Sequence, residues 1–155
     1  MLQELVLLNI SSNSLNGSIP AAFGDLKIFV LLDLGVNQLS GGIPDALADA
    51  SSLMLLFLDQ NHLTDGGSET WIPKFQLIHL VLGANNISGL IPPWISTQYD
   101  IILIDISENQ LWGELPSWVS SLEYLQYISI AQNMVGGVIP PELFNSQSMV
   151  LLDLS

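Results

Sequence analysis

Residues 32–44 read LDLGVNQLSGGIP, and the pattern returns along the chain at a constant interval. It stands as LNISSNSLNGSIP at 8–20, LVLGANNISGLIP at 80–92, IDISENQLWGELP at 104–116 and ISIAQNMVGGVIP at 128–140. Asn13, Asn37, Asn61, Asn85, Asn109 and Asn133 follow one another by 24 residues without slippage. Three residues before each Asn is an aliphatic residue (Ile10, Leu34, Leu58, Leu82, Ile106, Ile130), and five before is another (Leu8, Leu32, Leu56, Leu80, Ile104, Ile128). Self-similarity at a fixed period of this size marks a stack of supersecondary units, each burying its apolar stripe against its neighbours.

The unit LxxLxLxxNxLxGxIPxxL resembles the leucine-rich repeat, in the form common in plant extracellular proteins. The resemblance covers essentially all 155 residues. It implies an α/β-class right-handed solenoid with a parallel sheet on the concave face and loops and 3₁₀ turns on the convex face. Residue chemistry points the same way. Apolar and exposed positions alternate in Leu8-Asn9-Ile10 and Leu32-Asp33-Leu34, the period-2 signature of a short strand. Parallel pairing needs a long return path, and 24 residues provide one. An Asn side chain donates and accepts at once, so one per coil can satisfy backbone groups turned inward. The six period Asn are therefore read as a structural ladder. The chain reads as a single array, 1–155, of about six 24-residue repeats. No polar or Cys-paired cap is evident at either end, so the expectation is an internal fragment of a longer array.

Composition narrows the functions. Fifteen Asp and Glu face two Lys and no Arg, for a formal charge of −13. Nucleic acid needs a basic surface, which Lys27 and Lys74 cannot supply, and anionic lipid is disfavoured for the same reason. The absence of Cys removes disulfides, a thiolate nucleophile and Cys-ligated metal. No apolar run reaches the roughly 18–20 residues of a membrane helix, and Met-Leu-Gln-Glu lacks the basic start of a signal peptide. The two histidines, His62 and His79, fall in different rows. A loose His79–Asp105 pair is conceivable, but no serine completes a triad and no carboxylate pair is enclosed. Neither an enzyme nor a cofactor or metal site is expected.

The third coil departs from the rule. After Asn61-His62-Leu63 come Thr64-Asp65-Gly66-Gly67-Ser68-Glu69-Thr70-Trp71, without the Gly and Ile-Pro columns. Trp71 falls in the column of Phe23, Leu47 and Ile95, and so reads as core, while Asp65-Gly66-Gly67-Ser68 reads as an outer turn. The segments Trp71-Ile72-Pro73-Lys74-Phe75-Gln76-Leu77 and Pro92-Pro93-Trp94-Ile95-Ser96-Thr97-Gln98 resemble W-x-P-x-F-Q-L and P-x-W-x-x-x-Q of plant leucine-rich-repeat receptor-like proteins. Those are cell-surface receptors without a kinase, sensing microbial or developmental signals alongside partner kinases. The resemblance implies that role, on the extracellular side of the plasma membrane, in signal transduction and defence.

Strand alternation places the residues six, four, two and one before each Asn on the concave face. From these rows the expected ligand-binding residues are Leu31, Asp33, Leu55, Phe57, Asp59, His79, Val81, Leu103, Asp105, Glu108, Tyr127 and Ser129. An exposed line of Leu and aromatic residues marks a contact surface, and its acids favour a basic or amide-rich protein or peptide. The same aliphatic row could equally serve cross-strand packing alone. Sequons at Asn9, Asn16 and Asn86 are glycosylation acceptors in a secreted context. The leading expectation is a non-enzymatic recognition module with a protein or peptide ligand. The alternatives are a secreted inhibitor of a cell-wall-degrading enzyme and a truncated piece without activity of its own.

Overall fold

The computed structural model describes residues 2–155. Strands occur twice per coil: β1 (Leu7–Asn9), β2 (Asn16–Gly17), β3 (Leu31–Asp33), β4 (Gln38–Gly42), β5 (Leu55–Phe57), β6 (His62–Asp65), β7 (His79–Val81), β8 (Ser88–Gly89), β9 (Leu103–Asp105), β10 (Gln110–Glu114), β11 (Tyr127–Ser129), β12 (Met134–Gly136) and β13 (Leu151–Asp153). The odd-numbered strands form one seven-stranded parallel sheet in chain order, with Leu8 beside Leu32, Leu32 beside Leu56 and Leu80 beside Ile104. Return segments carry 3₁₀ turns at Ala21–Asp25, Asp45–Asp49, Pro93–Thr97, Ser117–Ser121 and Pro141–Asn145. Each begins just after the proline of the Ile-Pro or Leu-Pro column, whose fixed φ suits the first turn. The structure is therefore the expected leucine-rich-repeat solenoid.

The even-numbered strands were not foreseen. They form two further parallel sheets, β2-β4-β6 and β8-β10-β12, along the flank where loops were expected. Alternation creates them: Leu39, Leu63, Ile87 and Leu111 point inward while their neighbours point out. The residue before each ladder Asn also surprises. Ser12, Val36, Gln60, Ala84, Glu108 and Gln132 all have φ between 51° and 55°, in the left-handed region. This turn swings the chain from the first strand to the second, at an expected cost of roughly 1–2 kcal/mol for each L-residue.

The Asn side chains hold the turns and tie the coils together. Asn61 Nδ2 donates to Leu58 O and Asp59 O in its own coil, and to Leu34 O in the preceding one. Its Oδ1 accepts the Leu39 amide at 2.9 Å. Asn85, Asn109 and Asn133 repeat the arrangement, the last two without full burial. Among the described residues the Asn13 side chain bonds only to Ile10 O and Ser11 O. Between ladder and returns lies one continuous aliphatic core in which Leu32, Leu56, Leu58, Leu80 and Leu125 are fully buried. Removing such a side chain from water is worth about 1.5–3 kcal/mol.

An aromatic lock closes the third coil, which among the described residues has no 3₁₀ turn. Trp71 and Trp94 meet edge-to-face with centroids 4.9 Å apart, and Phe75 packs edge-on to both. Trp71 Nε1 donates to Asp45 O and Trp94 Nε1 to Gly66 O. Gly67, at φ +106°, fits because a Cβ there would lie 2.9 Å from both indoles. The two glutamines of the paired segments interlock as well. Gln76 donates to Thr97 O and accepts the Tyr99 amide, while fully buried Gln98 accepts the Leu77 amide. Both indoles and both glutamines of this signature thus have a backbone partner, which assigns them to coil closure. The cost is a gap in the flank: β6 and β8 do not pair, although the Asn86 amide still donates to Leu63 O.

Candidate functional site

Each central strand of the long sheet buries its middle residue and turns the outer two toward the open face. Register then aligns two rows across the sheet. One runs Leu31, Leu55, His79, Leu103, Tyr127, and the other Asp33, Phe57, Val81, Asp105, Ser129. All are half-buried except Tyr127, which is exposed. Phe57 and His79 meet edge-to-face with centroids 6.4 Å apart. His79 spends its ring on that contact, and no hydrogen bond joins it to Asp105 among the described residues. Glu108 is exposed in the left-handed turn beyond β9, at the margin of the face and outside the strand rows.

The acids are arranged by local bonds. Asp105 Oδ1 accepts from the Ser107 amide and hydroxyl, and Asp33 Oδ1 accepts from the Gly35 amide. Asp59 lies between these two coils, in the space left by a missing side chain: a Cβ on Gly35 would fall 2.8 Å from Asp59 Oδ1 and 3.4 Å from Asp33 Oδ1. Burial, helped by the like charges of Asp33 and Asp105, pushes the Asp59 carboxyl above its usual range. A carboxyl with a raised folded-state pKa loses stability as pH climbs through that pKa, and loses none when both states are protonated. Asp59→Asn is therefore expected to raise the melting temperature at pH 7 and to leave it nearly unchanged near pH 3. Equal shifts at both values would show that ionisation of the buried carboxyl is not the cause.

Among the described residues neither lysine balances these acids on the open face. Lys27 Nζ donates to Gly24 O and Asp49 O, and Lys74 pairs with Asp49, all on the return side of the coils. Among the described residues no cluster of His and acids could hold a metal, and no helix is long and apolar enough to cross a membrane. The sequon asparagines are all exposed. Asn9 lies in β1 on the open face, its Oδ1 accepting from the Ser11 amide and hydroxyl, while Asn16 lies in β2 and Asn86 stands two residues before β8. Sequence reasoning passed over Leu90, Trp112 and Met134, which stand out from the flank. Their signal was the alternation after each ladder Asn, invisible while that segment was read as loop.

The leucine rich repeat family model matches residues 4–26 and 76–97. No curated protein matches the chain in a sequence search. Solved structures do. The ectodomain of the Arabidopsis thaliana receptor kinase GASSHO1/SCHENGEN3, in complex with CASPARIAN STRIP INTEGRITY FACTOR 2, is 26% identical with a TM-score of 0.87 over 96% of this chain. The Arabidopsis receptor kinase HAESA ectodomain, in complex with an extended IDA peptide hormone, is 31% identical with a TM-score of 0.83, again over 96%. HAESA with IDA and the co-receptor SERK1 superposes with a TM-score of 0.69 at 26% identity, over 95% of this chain. The chain spans 18%, 25% and 29% of those structures' own lengths. Repeat, ladder, flanking strands and structural likeness agree: the chain is a leucine-rich-repeat solenoid of the type that forms plant receptor ectodomains.

Proposed function

We propose that this chain is a non-enzymatic recognition module of a plant cell-surface receptor-like protein, working on the extracellular side of the plasma membrane. Its ligand is a peptide or protein segment laid across the long sheet, and its parent protein signals together with a partner receptor kinase. The observation that carries the reading is the pair of aligned rows, in which Leu55, Phe57, His79, Leu103 and Tyr127 lie beside uncompensated Asp33 and Asp105, with Asp59 just beyond the end of β5. Apolar anchors beside like charges select a segment that is both hydrophobic and basic. Peptide hormones in the complexes of similar ectodomains support the mode, and the SERK1 complex supports a kinase partner. Residues 1–155 act as one array, and glycans at Asn9, Asn16 and Asn86 would restrict access to the first coil of the face and to parts of the flank.

The test is calorimetric titration of a linear peptide selected from a displayed random library on the wild-type chain. Phe57→Ala is expected to weaken binding by more than about 1 kcal/mol, roughly five- to tenfold in Kd. Melting should change little, because Phe57 faces away from the core. Unchanged affinity would move the ligand off this face.

A further inference from the structure

The flank carries a second surface. Within β8-β10-β12, Gln110 pairs with Ser88 and Trp112 with Met134, so Leu90, Trp112 and Met134 run in one row across the sheet. Inward-pointing Leu111 fixes their direction as outward. They are 49%, 52% and 63% exposed, although each is large and apolar. Leu90 lies over Gly113, where a Cβ would fall 2.7 Å from its Cδ2. Glu114 projects from the same face two residues beyond Trp112, about 7 Å along the strand.

Sheet pairing does not require these side chains. In the second and third coils the positions equivalent to Trp112 and Met134 are Ser40 and His62, paired in the same way. The pair before them is Asn16 with Gln38. Polar residues therefore make the same sheet, and the apolar group is confined to one side of the gap between β6 and β8. A clustered Trp and Met standing free in water are the residues enriched at protein interfaces.

Charge identifies the occupant. A second copy would bring another −13 and only two lysines, both held on the return side. It would therefore meet Glu114 with like charge. An anionic membrane surface is repelled by the same field. We infer that the Leu90–Trp112–Met134 row with Glu114 is a docking surface for a protein partner presenting Arg or Lys beside an apolar side chain. The cation stacks on the Trp112 indole and reaches the Glu114 carboxylate, while its apolar neighbour covers Met134 and Leu90. This surface is separate from the concave face, and neither reading depends on the other.

A displayed library of small helical-bundle scaffolds, randomised on one face, tests it. Selection is run against the full chain carrying Phe57→Ala and Tyr127→Ala, which removes the concave anchors. Selected scaffolds are expected to be enriched in Arg and Lys next to aromatic or aliphatic residues. They should weaken as salt rises, and lose at least tenfold in affinity to Trp112→Ala and severalfold to Glu114→Gln. Both residues are exposed, so melting of each variant should match the parent, and Met134→Ser provides a second variant within the row. Scaffolds without cationic enrichment, or with affinity indifferent to Trp112→Ala and Met134→Ser, would overturn the proposal. So would a concentration-dependent dimer of the wild-type chain that Met134→Ser abolishes, which would assign the row to a second copy.

Discussion

Asn61→Ala lowers the unfolding free energy by about 2–4 kcal/mol in urea titration, whereas Asn13→Ala costs less than about 1 kcal/mol. The residues are identical and occupy the same phase of the repeat. What differs is their surroundings. Asn61 is 5% exposed and ties two coils together, through three donated bonds and the Leu39 amide it accepts. Alanine there leaves the Leu39 amide without that partner, beside a small cavity. The carbonyls suffer less, because Leu34 O also accepts from Asn37 and Leu58 O from Asn85. Asn13 is exposed and, among the described residues, its side chain bonds only within its own coil, so water replaces what is lost. Asn61→Asp discriminates further. It keeps the acceptor, but sets a carboxylate against three carbonyl oxygens and should destabilise more than alanine does. Equal losses at Asn13 and Asn61 would show that the ladder's value lies in turn propensity rather than in bonds between coils.

Trp94→Ala is expected to cost about 3–5 kcal/mol, among the largest single-residue losses in the molecule. The side chain is almost wholly buried, packs on Trp71 and Phe75, and donates to Gly66 O. It holds the only coil whose return lacks a 3₁₀ turn among the described residues, so its loss opens the Gly66–Thr70 segment as well as a cavity. Trp94→Phe keeps most of the volume and removes the indole donor, for about 1–2 kcal/mol. Trp118 sits at the same phase one coil later but is only half-buried, and Trp118→Ala should cost clearly less. Denaturant unfolding of the three variants, with tryptophan fluorescence as the readout, checks the order. If Trp94→Ala and Trp118→Ala cost the same, the aromatic lock is not what closes the third coil.

Most of the architecture was legible because it is written in a repeating register. A 24-residue phase with Leu or Ile three and five residues before each Asn leaves few ways to bury the stripe other than stacking. The flanking strands were harder to see. Segments such as Asn16-Gly17 and Ser88-Gly89 are too short and too glycine-rich to show period 2, and they become strands only when neighbouring coils align them. The left-handed turn before each Asn was hidden for a different reason. Val36 and Ala84 are poor choices for positive φ, and it is the ladder bonds that hold them there. At the candidate site, alternation located the rows from Leu31 to Tyr127, since register is all they need. Glu108 stands apart from the strand rows because β9 ends at Asp105 and the residue before the ladder Asn takes the left-handed turn. The pairing of Gln76 and Gln98 across a coil follows from loop geometry that no spacing rule contains.

The central claim is that successive coils stack so that each ladder Asn from Asn37 to Asn133 serves the coil before it. Amide hydrogen exchange of Leu63, followed by NMR in wild type and in Asn85→Ala at a temperature where both are folded, tests this most directly. The Leu63 amide donates to Asn85 Oδ1, 22 residues away, so the variant should lose its protection, while Leu111, bonded to Asn133, keeps its own. Protection retained at Leu63, with losses confined to residues 82–88, would contradict the stacked coil.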